Sequence, residues 1–200
     1  MAPPDFERAK QYALTRLANE LSPNLLYHSL WHTRDDVLPA AERLAALEGV
    51  TGEDLLLLRT AACFHDIGCI VQRPDHEAIG ARMAAEALPA FGYTPERLRV
   101  IEGLIMATKL PQTPHTRLEE IMADADLDAL GREDFFTRNA ALRAEWLAQG
   151  QPMTDEAWHS NQLNFLRGHH YFTFAARQLR DAQKQKNMAA LIELLASPSE

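Results

Sequence analysis

Apolar residues recur every three or four positions along most of the chain, a spacing that places them on one face of an α-helix. Phe6, Ala9, Ala13 and Leu17 show this pattern near the start of the chain. No segment alternates between apolar and polar residues as a half-buried strand would. The sequence therefore predicts an all-α protein, with helices over residues 4–21, 24–47, 52–67, 75–88, 95–108, 116–128, 132–148, 154–166 and 169–196.

Several helix boundaries are marked by residues that favour helix ends. Thr51 and Asp54 have the spacing of a capping box, and Thr94 followed by Pro95 predicts an N-cap with proline at the first helical position. Glycine favours the residue after a helix, and it follows three predicted helix ends, at Gly49, Gly92 and Gly150.

The composition favours one domain. The 200 residues, 46% of them hydrophobic, suffice for a sizeable core, and we expect a single domain over residues 1–200. Acidic residues outnumber basic residues by 28 to 20, which gives a formal net charge of -8. Because nucleic-acid binding depends on clustered Lys and Arg, a nucleic-acid scaffold role is not expected.

The number of cysteines and the length of the apolar runs indicate the cellular location. Cys63 and Cys69 are too few for the disulfide framework of a small secreted domain, and a zinc-thiolate site would need further soft ligands beside them. No apolar run approaches the ~18 residues needed to span a bilayer, and the first residues lack the apolar stretch of a signal peptide. We expect reduced thiols, no membrane partner and a cytoplasmic location.

Two histidines, His28 and His32, are candidate chemical groups near the start of the second predicted helix. Being four residues apart, they would lie on the same face of that helix. The spacing is that of the zinc-protease motif H-E-x-x-H, but Ser29 stands where that motif has its glutamate. The sequence therefore argues against a protease.

His65 and Asp66 follow each other at the end of an apolar helix that Gly68 should terminate. Burying an ionisable pair is unfavourable unless each group is paired or binds a metal. The pair is either a metal-ligand candidate or a structural cap in which the carboxylate holds the imidazole.

Three aspartates, Asp124, Asp126 and Asp128, occupy alternate positions of an otherwise apolar predicted helix. At about 100° per residue, Asp124 and Asp128 are neighbours and Asp126 projects from nearly the opposite side. If Asp126 faces inward it requires a cation, whereas the other two can cap, be solvated or pair with arginines. All three could alternatively be surface acids.

Two neutral imidazoles and two carboxylates around a divalent ion would make a roughly neutral site with open positions for water and a phosphate oxygen. Such ligands suit Mn, Fe, Mg, Co, Ni or Zn, so they do not select the metal.

In the order and spacing of His32, His65, Asp66 and Asp126, the chain resembles the HD-domain superfamily of metal-dependent phosphohydrolases, whose signature is H…HD…D. The resemblance covers residues 24–131. It implies an HD-type helical bundle in which these four residues bind a metal.

Further details of the resemblance assign individual roles. The order Tyr27-His28-x-x-x-His32 is similar to the opening of the cyclic-nucleotide phosphodiesterases, which implies that His28 donates a proton while His32 binds metal. Ala125-Asp126 looks like the family's Ala-Asp, which favours Asp126 over Asp124 as the last ligand. Residues 132–200 would then form a C-terminal helical extension.

The chain departs from the binuclear branches of that superfamily, which add histidines after the His-Asp pair. Only His76 and, further on, His115 are available here. One metal is therefore favoured over two, with His76 as an additional residue that either supports the metal ligands or acts in catalysis. Candidate phosphate contacts are Arg34, Arg82 and Lys109.

The resemblance implies a metal-dependent phosphohydrolase that uses metal-activated water on a small phosphorylated substrate such as a nucleotide. Two alternatives stay open: an HD-fold nucleotide-binding or sensor module with a degraded site, and an iron-dependent HD oxygenase. A homodimer is compatible with the sequence. The segment from Trp158 to Thr173 resembles the tail of small bacterial HD proteins, and the resemblance assigns it no role.

Overall fold

The computed structural model describes residues 4–196, and within that range the chain forms nine α-helices and no strand. This confirms the predicted all-α class. The predicted single domain over residues 1–200 extends beyond the described range at both ends and stays a prediction. In chain order the helices are α1 (Phe6–Glu20), α2 (Leu38–Leu47), α3 (Gly52–Phe64), α4 (His76–Ala87), α5 (Pro95–Met106), α6 (Arg117–Asp126), α7 (Phe135–Ala148), α8 (Asp155–Gly168) and α9 (Phe174–Ala196).

Short segments with a different helical hydrogen-bond pattern interrupt these α-helices. A π-helical segment over His32–Val37 precedes α2, and 3₁₀ turns follow α3 at Ile67–Ile70, α4 at Leu88–Phe91 and α6 at Asp128–Gly131. Such irregular turns are frequent at helix ends and at functional sites. Three of the four lie beside candidate metal ligands, so those ligands sit where the regular backbone is interrupted.

The glycine boundaries are confirmed, because Gly49, Gly92 and Gly150 all have positive φ angles, of 71°, 84° and 76°. Glycine adopts this left-handed conformation without steric strain because it has no Cβ atom. Thr94 precedes α5 with a proline in its first turn, also as predicted. Thr51 precedes α3, but its side chain makes no capping hydrogen bond, so the predicted capping box is wrong.

The predicted helix over 24–47 is wrong in its first part. Residues 22–29 form turns and bends, and helical structure begins at Leu30. The physical reason is a buried carboxylate: the backbone N–H groups of Tyr27 and His28 donate to Glu145, at 2.9 and 3.0 Å. The last helix also begins later than predicted, at Phe174, because the preceding residues form a connection that packs against α6.

The apolar core has two parts. The larger cluster joins α1 to α6 and includes Phe64, Ile105 and Tyr171, which are at most 1% exposed. A smaller cluster joins α7, α8 and α9 to the turn after α6 through Leu130, Phe135, Leu163, Leu166 and Leu191. Among the described helices, none combines the length and the apolar character required to cross a membrane.

Candidate metal centre

His32, His65 and Asp66 lie together in the interior. Each offers one ligand atom, and these atoms all lie within 4.8 Å of one another. Nε2 of His65 is 3.3 Å and Nε2 of His32 is 3.9 Å from Oδ2 of Asp66. All three residues are at most 3% exposed, so the arrangement is a buried polar cluster.

Asp126 completes this group from the end of α6. Its Oδ1 lies 3.3 Å from Nε2 of His32 and 3.5 Å from Nε2 of His65. The structure therefore brings together all four predicted ligands, which we call the His/Asp cluster. The side chain of Asp126 is 17% exposed, the most accessible of the four, and it faces the adjoining cavity.

Backbone contacts fix the histidine tautomers. Nδ1 of His65 lies 2.9 Å from the carbonyl oxygen of Ala62, and Nδ1 of His76 lies 2.8 Å from that of Arg73. Because a carbonyl oxygen only accepts hydrogen bonds, Nδ1 carries the proton in both neutral rings. Nε2 of His65 therefore presents its lone pair to the cluster, as a metal ligand requires. Nε2 of His76 lies 3.1 Å from Oδ1 of Asp66.

The His/Asp cluster fits a divalent cation. Nε2 of His65 and Oδ2 of Asp66, which both face the cluster, are buried without a hydrogen-bond partner among the described residues. Burial lowers the pKa of His32, but hydrogen bonding to Asp126 and the neighbouring carboxylates outweigh it and raise that pKa to about 10. The carboxylates thus favour positive charge here, and a metal ion bound by two imidazoles and two carboxylates supplies it.

His28 lies beside the cluster and is oriented by Glu145. Nδ1 of His28 is 2.6 Å from Oε1 of this fully buried glutamate, and its ring centroid is 5.7 Å from that of His76. Burial opposes ionisation of Glu145, but hydrogen bonds from His28 and from the backbone outweigh it and lower the pKa of the carboxyl group. An ionised Glu145 holds the proton on Nδ1, so His28 presents Nε2 to the cavity.

Sequence reasoning missed Glu145. A signal was present, because Glu145 follows Arg138 by seven and Leu142 by three residues and therefore shares their helix face. Its partner, however, lies 117 positions earlier, which no local pattern indicates.

The three alternating aspartates point in different directions, as helix geometry predicts. Asp124 accepts hydrogen bonds from the backbone N–H groups of Phe172 and Thr173, both at 2.8 Å. Asp128 accepts two hydrogen bonds from Arg180, at 2.7 and 2.9 Å. Asp124 and Asp128 are thus buried structural groups rather than surface acids, and Asp126 alone joins the cluster.

The cations near the site differ from the predicted ones. Arg34 is exposed and pairs with Asp35, Arg82 is exposed, and neither lines the cavity. Both side chains therefore lie away from the candidate site, contrary to expectation. Lys109 does line the cavity, together with two arginines that the sequence did not single out, Arg73 and Arg138.

Both cysteines are free and buried, as expected of reduced thiols. Burial raises the pKa of Cys63 to about 12 and also raises that of Cys69. Cys69 lies in a second group of potential ligand atoms with Asp66 and His76, again within 4.8 Å of one another. A protonated thiol is a poor metal ligand, so this group is the weaker of the two candidates.

The fold and the cluster define an all-α protein with a buried His/Asp candidate metal centre. Residues 34–129 match the family model described as HD domain, so this part of the chain is an HD domain. The match contains His65, Asp66, His76 and Asp126 and begins two residues after His32. The superfamily generally includes metal-dependent hydrolases. No curated protein and no solved structure matches the chain.

Proposed function

We propose that this protein is a metal-dependent phosphohydrolase that acts on a small phosphate ester such as a nucleotide. One observation carries the proposal: the His/Asp cluster opens into a cavity of about 730 Å³ that is also lined by His28, an imidazole held in one orientation by Glu145. A cation site and an oriented proton donor facing one cavity are the two elements that ester hydrolysis needs.

His32, His65, Asp66 and Asp126 would hold the metal. When bound, a divalent metal ion lowers the pKa of a coordinated water toward neutrality and polarises a phosphoryl oxygen. The hydrogen bond from Nδ1 of His65 to the carbonyl oxygen of Ala62 keeps that ligand in place. Asp126 is positioned by α6, which is held by the hydrogen bond from the backbone N–H of Phe172 to Asp124.

The chain's own residues would complete the reaction. The oxygen of water forms a bond to phosphorus while the bond between phosphorus and the leaving oxygen breaks. Protonated His28 gives its Nε2 proton to that leaving oxygen, which departs as an alcohol. The proton lost by water returns His28 to its protonated form, so the products are the alcohol and phosphate. The negative charge of Glu145 stabilises the imidazolium between these steps.

His76 would support the same reaction from beside the cluster. Its Nε2 lies 3.1 Å from Oδ1 of Asp66. When the ring is protonated, this nitrogen donates to the carboxylate and constrains its orientation. Because His76 also lines the cavity, it can contact a phosphate oxygen. One metal is favoured over two, and the metal content of the purified protein measures the number directly.

Phosphate release from mono-, di-, tri- and cyclic nucleotides, measured with Mn, Mg, Co, Ni, Fe and Zn, tests the proposal. Replacing His65 and Asp66 by alanine should abolish metal binding and activity together. His170→Ala is the control, because His170 is exposed and does not line the cavity. Full hydrolysis by the double variant would refute the proposal. Nucleotide binding without turnover under any metal would indicate a sensor module, and iron-dependent oxygen consumption an oxygenase.

A further inference from the structure

One wall of the cavity is built by a single face of α7. Phe135, Arg138, Asn139, Leu142 and Trp146 all line it. They are separated by three, one, three and four residues, the spacing of one side of an α-helix. This side of α7 is therefore directed at the space in front of the His/Asp cluster along most of the helix.

α8 extends the same wall. Asn161, Gln162 and Phe165 line the cavity from adjacent positions of that helix. We call the cavity-lining residues of α7 and α8 the α7–α8 wall. Both helices lie after residue 129, where the match to the HD domain ends. The metal ligands and the α7–α8 wall thus come from different parts of the chain.

The chemistry of the α7–α8 wall suits a flat apolar group. Phe135, Leu142, Trp146 and Phe165 contribute aromatic and aliphatic surface. An aromatic ring of a ligand can stack on such side chains, and amides beside them can hydrogen-bond to the edge of a heterocycle. Gln162 offers an amide of this kind: it is only partly buried, and it has no hydrogen-bond partner among the described residues.

The charges in the cavity suit one phosphate rather than several. Each lining Arg or Lys already faces an acid: Arg73 lies 3.1 Å from Glu145, Lys109 lies 2.6 Å from Asp75, and Arg138 lies 3.1 Å from Asp134. Among the described residues, each lining Arg or Lys is therefore at least partly neutralised by an acid, which weakens its attraction for a second phosphate. Glu77, which also lines the cavity, would repel additional negative charge.

We infer that the substrate is an ester with a single phosphate whose alcohol carries an aromatic or heterocyclic group, and that the α7–α8 wall determines this specificity. The inference rests on the proposed phosphohydrolase function. The volume of about 730 Å³ agrees with it, because cavities of roughly 300–1,000 Å³ hold ligands with many more atoms than a simple alkyl phosphate.

Four probes separate the two parts of the inference. AMP and ribose 5-phosphate share the phosphate and the sugar and differ by the base. AMP, ADP and ATP share the base and differ in charge. With the metal that gives the highest activity, kcat/KM for AMP should exceed that for ribose 5-phosphate by about 5- to 150-fold, since stacking of one base contributes about 1–3 kcal/mol. The value of kcat/KM should also fall in the order AMP, ADP, ATP.

Variants of the α7–α8 wall test its role. Phe165→Ala should lower kcat/KM for AMP by a larger factor than for ribose 5-phosphate, and Phe165→Leu should have a smaller effect because it retains apolar bulk. Phe174→Ala is the matched control. Phe174 is 63% exposed and does not line the cavity, so its removal should change neither value.

Asp75→Asn tests how charge in the cavity affects the choice of substrate. Asp75 has a φ of 55°, a conformation that asparagine tolerates, so this exchange should preserve the backbone. It frees Lys109, and the ratio of kcat/KM for ADP to that for AMP should rise several-fold. An unchanged ratio would contradict the charge argument.

The outcomes distinguish this inference from the proposed function. Equal rates for AMP and ribose 5-phosphate, or equal losses for both in Phe165→Ala, would overturn the inference while leaving phosphohydrolase activity standing. A complete lack of phosphate release from all four probes and from the wider nucleotide set, with every metal, would instead contradict the proposed function.

Discussion

Nδ1 of His28 lies 2.6 Å from the carboxylate of Glu145, although 117 residues separate the two along the chain. The same carboxylate accepts the backbone N–H groups of Tyr27 and His28. One buried acid on α7 therefore shapes the backbone before the π-helical segment and orients the ring that faces the cavity.

Glu145→Gln should reduce kcat about 10- to 100-fold, less than the roughly 10²–10⁴-fold that general acid catalysis contributes, because His28 itself is retained. The glutamine can still accept the backbone hydrogen bonds, but it no longer favours the protonated imidazole. The loss should be larger for alkyl phosphates than for p-nitrophenyl phosphate, whose leaving oxygen needs little protonation. Steady-state kinetics on the two substrates measure the difference.

Glu156→Gln provides the control for this variant, because Glu156 is exposed at the start of α8. A Glu145→Gln protein that lost activity equally on both substrates would have a general structural defect. That result would argue against His28 as the proton donor.

Gly68→Ala should disrupt the metal centre. A Cβ atom at this position would lie 2.0 Å from the carbonyl oxygen of His76 and 2.8 Å from the backbone nitrogen of Gly80. Backbone atoms cannot yield as a side chain can, so α4 would have to move, and with it His76. We expect a loss of about 3 kcal/mol or more in the free energy of unfolding. Urea unfolding measures this change, and metal content should fall with it.

Gly168→Ala is the matched substitution at an open site. Gly168 is the last residue of α8, and no atom lies within 4 Å of the position a Cβ would take. The free energy of unfolding of this variant should be unchanged or slightly higher, by at most about 1 kcal/mol. Equal destabilisation of the two variants would show that the close approach at Gly68 is not the cause.

Removal of the metal should lower the melting temperature. A ligand that binds only the folded state at 100 times its Kd stabilises it by about 2.7 kcal/mol. For a chain of this length this corresponds to roughly 5–10 °C. A chelator should therefore lower the Tm by this amount, and added metal should restore it. Asp126→Asn should respond much less, and an identical response in that variant would exclude Asp126 as a ligand.

His169 should make stability depend on pH. Burial and the nearby Lys184 lower the pKa of His169 from 6.5 to about 3, and both ring nitrogens lack a hydrogen-bond partner among the described residues. Below pH 6.5 the unfolded chain thus binds a proton that the folded chain excludes until about pH 3. The stabilising contribution is complete above pH 6.5 and is lost as the pH falls toward 3.

Unfolding in urea at pH 7 and pH 5 tests this dependence. His169→Phe should reduce the difference in unfolding free energy between the two pH values by on the order of 1–2 kcal/mol. His170→Phe should not, because His170 is exposed. If His169→Phe left the difference in unfolding free energy between pH 7 and pH 5 unchanged, another group would determine the loss of stability in acid.

Part of this structure could be predicted from hydrophobic periodicity and helix geometry. The spacing of apolar residues identified the positions of the helices, since burial of one face follows directly from it. The 100° rotation per residue separated Asp126 from Asp124 and Asp128. The order of His32, His65, Asp66 and Asp126 indicated a common site, which the geometry places within one small cluster.

Other features depend on partners that are distant in sequence. The break before Leu30 follows from hydrogen bonds to Glu145, and helical propensity alone does not predict it. Arg34 and Arg73 are equally charged in the sequence, but only tertiary packing directs Arg73 to the cavity and leaves Arg34 paired with Asp35. Patterns along the chain do not contain this information.

The two aspartates beside Asp126 set a limit on shortening this chain. Asp124 accepts hydrogen bonds from the backbone at Phe172 and Thr173, and Asp128 accepts hydrogen bonds from Arg180, so the end of α6 at Asp126 is held by residues far beyond the family match. A protein cut at residue 129 would leave Asp124 without the backbone N–H groups that donate to it and would leave Asp128 with Arg43 but without Arg180. The segment that matches the HD domain therefore lacks part of what holds α6 in place, and a stable shortened protein should extend at least through Arg180 in α9.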